Sequence, residues 1–436
     1  MKQTVQTFMK TATVPVKMSL LLMGAGHFRY GSISKGLLYL FVELSMIYYL
    51  VQRGFNDIRG FFTLGTQRAD AWAGIEGDNS VVMMLMGIFA FIVIAVFAFF
   101  YVQNIKGAYA MQKRAENNLP QKTLRQDLAD LLDQKFYVLV LALPLIGVCV
   151  FNVLPIIFMI LIAFTNYGGN IVPPELVDWV GVDNFRKLMV LSKFGPTFLK
   201  ILGWNLLWAL LSTTINYFAG LGLALLLNKE CVKGKAIWRA FPILAYAIPG
   251  FITLLAFKFM FSYGGPINQM IISNGGTPFG FLGIDAKWSA RLIGLLVNCW
   301  ISVPSIMLLA TGHLSNRDMS LYEAAKIDGA GRFAQFRKLT VPFMLFATMP
   351  VLLGQFIGNF NNFGIFYFLR GGMYMDGYFL ASDTDLLINW LYNLSIDNNY
   401  YCIGAAISLV IFLITSVISL TVYVKSPSYR EEDTFQ

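Results

Sequence analysis

Four amides stand where an apolar chain has little reason to keep them. Gln355, Asn359, Asn361 and Asn362 interrupt a stretch, 341–369, built mainly from Phe, Ile, Leu, Met and Gly. A second stretch, 290–312, holds Asn298, Ser302 and Ser305, with Ile301 among them and Trp300 and Pro304 alongside. Amides and hydroxyls exchange hydrogen bonds without changing charge, and aromatic rings offer faces for stacking. Such a set suits recognition of a neutral solute rich in hydroxyls. It does not suit proton or group transfer, which needs an ionisable pair, a nucleophile with its base, or a metal cluster. The two histidines, His27 and His313, have no partner at metal-ligand spacing, and the four cysteines are scattered without a CxxC pair. Helical spacing puts Asn298, Ser302 and Ser305 on one face and Asn359 with Asn362 on another. Polar groups in apolar surroundings are costly unless they meet a cavity or a partner. The same amides would also serve to tie helices together.

The elements that position these residues follow from composition. Of 436 residues, 57% are hydrophobic and 13% charged, against about 25% charged in an ordinary soluble domain. Mean hydropathy is +0.61. A spanning helix needs about 20 mostly apolar residues. Eight segments qualify, near 33–51, 81–103, 136–164, 201–228, 238–261, 290–312, 341–369 and 402–424. The expected fold is therefore all-α, a polytopic bundle of about eight transmembrane helices. The first segment is the weakest, because it contains Glu43, which should pair with a neighbouring helix or reach the interface. Counting from the N-terminus, alternate loops differ sharply in Lys and Arg. The side holding both termini carries more than twice as many as the other. The positive-inside rule makes that side, and both termini, cytoplasmic. The net charge of +9 is accounted for in this way, without a nucleic-acid partner.

One basic loop, between the sixth and seventh spans, carries a spaced pattern. Glu323-Ala324-Ala325 is followed after three residues by Gly329, and after nine more by Leu339-Thr340-Val341-Pro342. Residues 320–328 favour helix, with Ser320 as N-cap and Glu323 completing a capping box. Asp328 precedes Gly329, which can turn the chain through positive φ. A second short helix, led by Arg332 and Phe333, can follow. This pattern resembles the EAA loop of binding-protein-dependent ABC importers. The resemblance implies a type I importer permease core, in which this loop docks on an ATP-hydrolysing subunit. It assigns coupling to Glu323, Ala324, Ala325, Asp328, Gly329 and Pro342. GxxxxGK[ST] is absent: Gly234-Lys235 is followed by Ala236, and Lys229 stands where the first Gly belongs. The chain is accordingly not expected to be an enzyme. ATP and Mg would be bound by a partner ATPase dimer.

A further likeness narrows the solute. Residues 358–363 read Gly-Asn-Phe-Asn-Asn-Phe, and residues 384–390 read Thr-Asp-Leu-Leu-Ile-Asn-Trp. With eight spans, this is similar to the larger membrane subunit of maltose and maltodextrin importers, the MalF type. The resemblance runs most clearly from about 290 to 424. It implies sugar contacts at Asn298, Ile301, Ser302, Ser305, Gln355, Gly358, Asn359 and Asn362. The asparagines match in identity. Ser302 falls where that subunit has Gly, Ser305 where it has Tyr, Gln355 where it has Ser and Gly358 where it has Phe. Two lost aromatics imply a wider site, for longer or different oligosaccharides. Some members carry a large extracytoplasmic domain after the third span; here that connection, 165–200, is short.

The expected organisation has three parts. Residues 1–130 form an N-terminal cytoplasmic segment and two added spans, 131–425 the permease domain, and 426–436 a cytoplasmic tail. The implied setting is the bacterial cell membrane. The implied partners are membrane lipid, a second homologous permease, the ATPase dimer, an extracytoplasmic sugar-binding protein and an oligosaccharide. Galacto-oligosaccharide or raffinose-type sugars are alternative substrates. An ion-coupled secondary transporter would show charged residues in span centres, and the central spans lack them.

Overall fold

The computed structural model describes residues 11–70, 72–190, 193–229, 231–315 and 318–425. The expected tail, 426–436, lies outside them, as do the first ten residues of the N-terminal segment. Among the described residues regular structure is helical, with three isolated β-bridges. Among the described residues, seven helices are long and apolar enough to cross a bilayer, and a sharply bent pair makes an eighth crossing if counted as one. The eight expected segments correspond to these in order. The chain divides into two compact units, Met1–Gly181 and Val182–Gln436.

The first unit holds α1 (Ile33–Thr63), α2 (Ser80–Glu116) and α3 (Phe136–Ile162). Asn79 caps α2, its side chain accepting from the Val82 N–H. Two short helices, Val14–Met18 and Ala25–Arg29, are stitched to α2 by buried polar groups. Asn104 accepts from Gly24 N at 3.0 Å and donates to Ser19 O at 3.1 Å. The Tyr101 hydroxyl donates to Leu20 O at 2.7 Å. The Glu43 Oε2 accepts from Met23 N at 2.9 Å, so it pairs with the segment before the second short helix. His27 is buried, and that burial pulls its pKa down to about 4.

The second unit is built around α4 (Phe194–Asn228) and α7 (Lys287–Ser315), which run against each other along most of their length. Close approach depends on small residues. A Cβ on Gly220 would stand 2.7 Å from Ile306 Cβ, and one on Gly294 would stand 2.8 Å from the Phe366 ring. Between these helices in sequence lie α5 (Lys235–Ala247) and α6 (Gly250–Met260), bent by 93° at their junction. Pro249 explains the break: it has no N–H to donate and drives Ile248 to extended backbone. The expected span 238–261 is thus a broken one. After α7 come α8 (Met319–Ile327), α9 (Val341–Phe360), α10 (Phe363–Arg370), α11 (Leu387–Tyr392) and α12 (Tyr401–Lys425). A single π turn, Phe336–Thr340, feeds α9. Trp208, Phe360, Phe366 and Trp390 are the largest fully buried rings among the described residues of this unit.

Candidate functional site

Two helix breaks create the site. α9 ends at Phe360, and Asn362 starts α10 by accepting from the Ile365 N–H at 3.3 Å. The carbonyls stranded at the end of α9 find donors on α4. Trp208 Nε1 donates to Asn359 O at 3.1 Å, and Asn205 Nδ2 donates to Phe360 O at 3.0 Å. The expectation that Asn359 and Asn362 share one helical face is therefore corrected. They belong to different helices, because three residues of spacing count only inside an unbroken helix.

They nevertheless border the same space. A cavity of about 420 Å³ is lined from α6, α7, α9 and α10. Asn298, Ile301, Ser302, Gln355, Gly358, Asn359 and Asn362 all line it, and Phe251 and Phe368 supply rings. Ser305 is not among the lining residues; its hydroxyl donates to Ser302 O at 2.8 Å.

The amides in this wall have different amounts of freedom. Asn359 is buried, and both polar atoms of its side chain are bonded. It accepts from Asn298 Nδ2 at 3.1 Å and donates to Thr213 Oγ1 at 3.0 Å. It therefore ties α4, α7 and α9 together while facing the cavity. Asn298 accepts weakly from the Ser302 hydroxyl at 3.4 Å. The Oδ1 of Asn362 is spent on its cap, which leaves the amide nitrogen. Gln355 is half-buried at the cavity edge. The arrangement offers several neutral hydrogen-bonding groups with two aromatic faces and, among the described residues, no charge.

The Glu-Ala-Ala loop is well formed. Its helix, α8, is capped by Asp318, whose carboxylate accepts from Ser320 N at 2.9 Å. The cap was expected at Ser320; Asp318 takes it because its own backbone is extended while Ser320 is already helical. The bonds from Ser320 hold the Asp318 carboxyl below its usual range. Gly329 takes φ +78°, as the expected turn requires. Arg332–Gln335 forms the second short helix. Glu323, Ala324, Asp328, Gly329 and Pro342 are exposed and Ala325 half-exposed. The Tyr322 hydroxyl lies 3.1 Å from Thr340 Oγ1, fastening α8 to the root of α9.

A polar knot beyond the cavity was not anticipated. Arg370, at the end of α10, is fully buried. Its Nη1 donates to Asp383 Oδ1 at 2.7 Å and to Thr384 Oγ1 at 3.2 Å, and its Nη2 to Gly283 O at 2.8 Å. Arg291 Nη2 donates to Asp383 O at 2.6 Å, with the guanidinium 3.8 Å from the Trp204 ring centroid. Asp385 is buried beside them and takes bonds from Ser382 N, the Ser382 hydroxyl and Asn393. Burial outweighs these bonds and pushes its pKa up to about 6. The Thr-Asp-Leu-Leu string marked this loop in the sequence, but nothing there paired it with Arg370 or Arg291.

The family model described as "Binding-protein-dependent transport system inner membrane component" matches residues 216–428. The galactooligosaccharides transport system permease protein GanP of Bacillus subtilis is 33% identical over 94% of this chain and 96% of its own length. The maltodextrin transport system permease protein MalC of Streptococcus pneumoniae is 32% identical over 96% of this chain and 98% of its own. The maltose/maltodextrin transport system permease protein MalF of Escherichia coli is 32% identical over 58% of this chain and 50% of its own length. A chain from the crystal structure of a bacterial ABC transporter involved in import of the acidic polysaccharide alginate is similar in fold. Its TM-score is 0.54 at 22% identity, covering 69% of this chain and 97% of that one.

Proposed function

The chain belongs to the family of binding-protein-dependent transport system inner membrane components, as a multi-pass permease of the sugar ABC importer type, and from that premise we propose that it translocates maltodextrin-type oligosaccharides. The observation that carries the substrate reading is the uncharged cavity lined by Asn298, Ser302, Gln355, Asn359 and Asn362 with Phe251 and Phe368. Sugars present hydroxyls for amides and apolar faces for rings. Ile301 and Gly358 leave part of the wall smooth and open, which suits an extended oligosaccharide.

The importer assembles from several chains in this reading. A second homologous permease completes the path, and an extracytoplasmic binding protein delivers the sugar. An ATPase dimer holds ATP and Mg and grips the loop from Glu323 to Gly329. ATP binding closes the ATPases, α8 carries the motion through Tyr322 and Thr340 to α9, and hydrolysis resets the path. Residues 131–425 act as the permease domain, with the first two spans an addition. Both termini lie in the cytoplasm, in agreement with the excess of Lys and Arg on that side.

The full-length likeness to a galactooligosaccharide permease supports a second substrate reading. Uptake of labelled maltotriose by cells with and without this chain separates the two. Chain-dependent uptake competed best by maltodextrins is expected. Competition best by galacto-oligosaccharides would transfer the substrate assignment to them, and uptake independent of the chain would remove it.

A further inference from the structure

A second cavity, of about 520 Å³, lies at the far end of the second unit, between the ends of α4 and α7 and the underside of α8. Its volume falls in the range of small-molecule sites. Asn228, Lys229, Ser315, Tyr322, Arg332 and Gln335 supply its polar wall, and among the described residues no acidic side chain lines it. Leu314 and Phe336 give it an apolar floor. The lining is thus two cations, amides and hydroxyls around an apolar surface.

One wall atom is left without a partner. Asn228 Oδ1 accepts from Arg239 Nη2 at 2.7 Å and its carbonyl from Lys235 Nζ at 3.1 Å, but its Nδ2 is enclosed and unbonded. Arg239, behind the wall and not lining the cavity, also has an enclosed and unbonded Nε. Buried donors without acceptors are rare in folded proteins and call for a group that satisfies them. A group that satisfies such donors accepts hydrogen bonds, and the surrounding charge favours an anion.

We infer that this cavity binds a phosphorylated sugar. Lys229 and Arg332 take the phosphate, Asn228 Nδ2 meets a hydroxyl or ring oxygen, and the Phe336 ring lies under the sugar face. Because Met319 and Tyr322 of α8 line the same cavity, an occupant joins α8 to the ends of α4 and α7. It would then hold α8 in one position and slow any transport step that moves it. That second half rests on the permease function proposed above. Chemically, the ligand is what a cell forms by phosphorylating an imported sugar, so the site would report product accumulation.

Binding is tested on the purified full chain in lipid nanodiscs by calorimetry with glucose 6-phosphate, glucose and inorganic phosphate. Glucose 6-phosphate is expected to bind saturably, at least tenfold more tightly than either other compound. Lys229→Gln, at an exposed position, should fold normally and weaken binding at least tenfold. Absent binding, equal binding of inorganic phosphate, or affinity unchanged in both Lys229→Gln and Arg332→Gln would overturn the site. Binding needs no transport, so this result stands apart from the fate of the permease reading. In vesicles of the assembled transporter, glucose 6-phosphate on the side bearing α8 should slow maltotriose uptake in the wild type and not in Lys229→Gln. Equal slowing in both would overturn the regulatory role.

Discussion

The Asn298 side-chain amide donates to Asn359 Oδ1 across 3.1 Å, joining α7 to α9 at the cavity wall. This one bond divides the candidate sugar residues into two groups. Asn359 also donates to Thr213, so it is both a wall residue and a fastener. Gln355 borders the cavity from a half-buried position.

The two groups should respond differently to substitution. Asn359→Leu leaves the buried Asn298 amide nitrogen without its acceptor, at about 1–3 kcal/mol, and also removes the partner of the half-buried Thr213 hydroxyl. The purified protein should unfold at lower temperature, and transport should fall sharply. Gln355→Ala should keep stability within about 0.5 kcal/mol while raising the sugar concentration needed for half-maximal uptake. Thermal unfolding and concentration-dependent uptake measured on both variants check this. If Asn359→Leu matches the wild type in stability, the fastening role is wrong.

Gly329 sits at φ +78° with nothing within 4 Å of where a Cβ would stand. Space is therefore not the constraint; backbone conformation is. Left-handed backbone costs an L-residue roughly 1–2 kcal/mol, least for Asn and Asp. Gly329→Val should abolish uptake with membrane insertion intact, whereas Gly329→Asn should retain most of it. Gly329→Asp adds a charge on the exposed loop and should also abolish uptake, by spoiling the docked surface. Equal loss in the Asn and Val variants would show that φ is not what matters.

Much of this architecture was legible in the sequence, for reasons that differ by element. Spans such as α2 and α12 are long apolar runs, and run length alone identifies them. Pro249 signals a boundary locally, but not a bend of 93°. Asn359 and Asn362 were readable as polar intrusions. Their assignment to one face failed because helical spacing cannot register that the helix stops between them. Asp318 and Ser320 are both good caps, and only the backbone at Asp318 decides. The knot of Arg370 with Asp383 was invisible for a different reason. Loops 371–386 and 281–286 have no periodicity from which a contact can be read, so a charge pair closed by irregular backbone leaves no pattern.

That knot gives a stability prediction. The Arg370 side chain is fully buried and Asp383 nearly so. Arg370→Met leaves a poorly solvated carboxylate without its partner, at about 3–5 kcal/mol. The double variant Arg370→Met with Asp383→Leu should recover most of the loss, because no charge is then stranded. Thermal unfolding of the two variants checks the sign. A double variant less stable than the single one would show that the bonds of Arg370 to Thr384 and Gly283 matter more than the ion pair.

Asp385 makes the stability of the same loop depend on pH. Its ordinary value is 3.8 and burial raises it to about 6 in the folded protein. A carboxyl raised on folding favours the folded state when protonated. Its contribution is complete below pH 3.8 and is lost as pH rises through about 6. The full swing is about 3 kcal/mol. Asp385→Asn cannot titrate, so the wild type minus variant difference in Tm should be more positive at pH 5 than at pH 7.5. Ser382 N and Asn393 donate to Oδ2 and the Ser382 hydroxyl to Oδ1; the variant keeps one oxygen for the first two and turns an N–H to the hydroxyl, as the protonated acid turns its O–H. If the difference is the same at both pH values, the carboxyl keeps an ordinary pKa and reaches water in solution. The loop from Ser382 to Asp385 would then be more open than its bonds to Arg370 and Arg291, and that from Trp204 Nε1 to Thr384 O at 3.1 Å, imply.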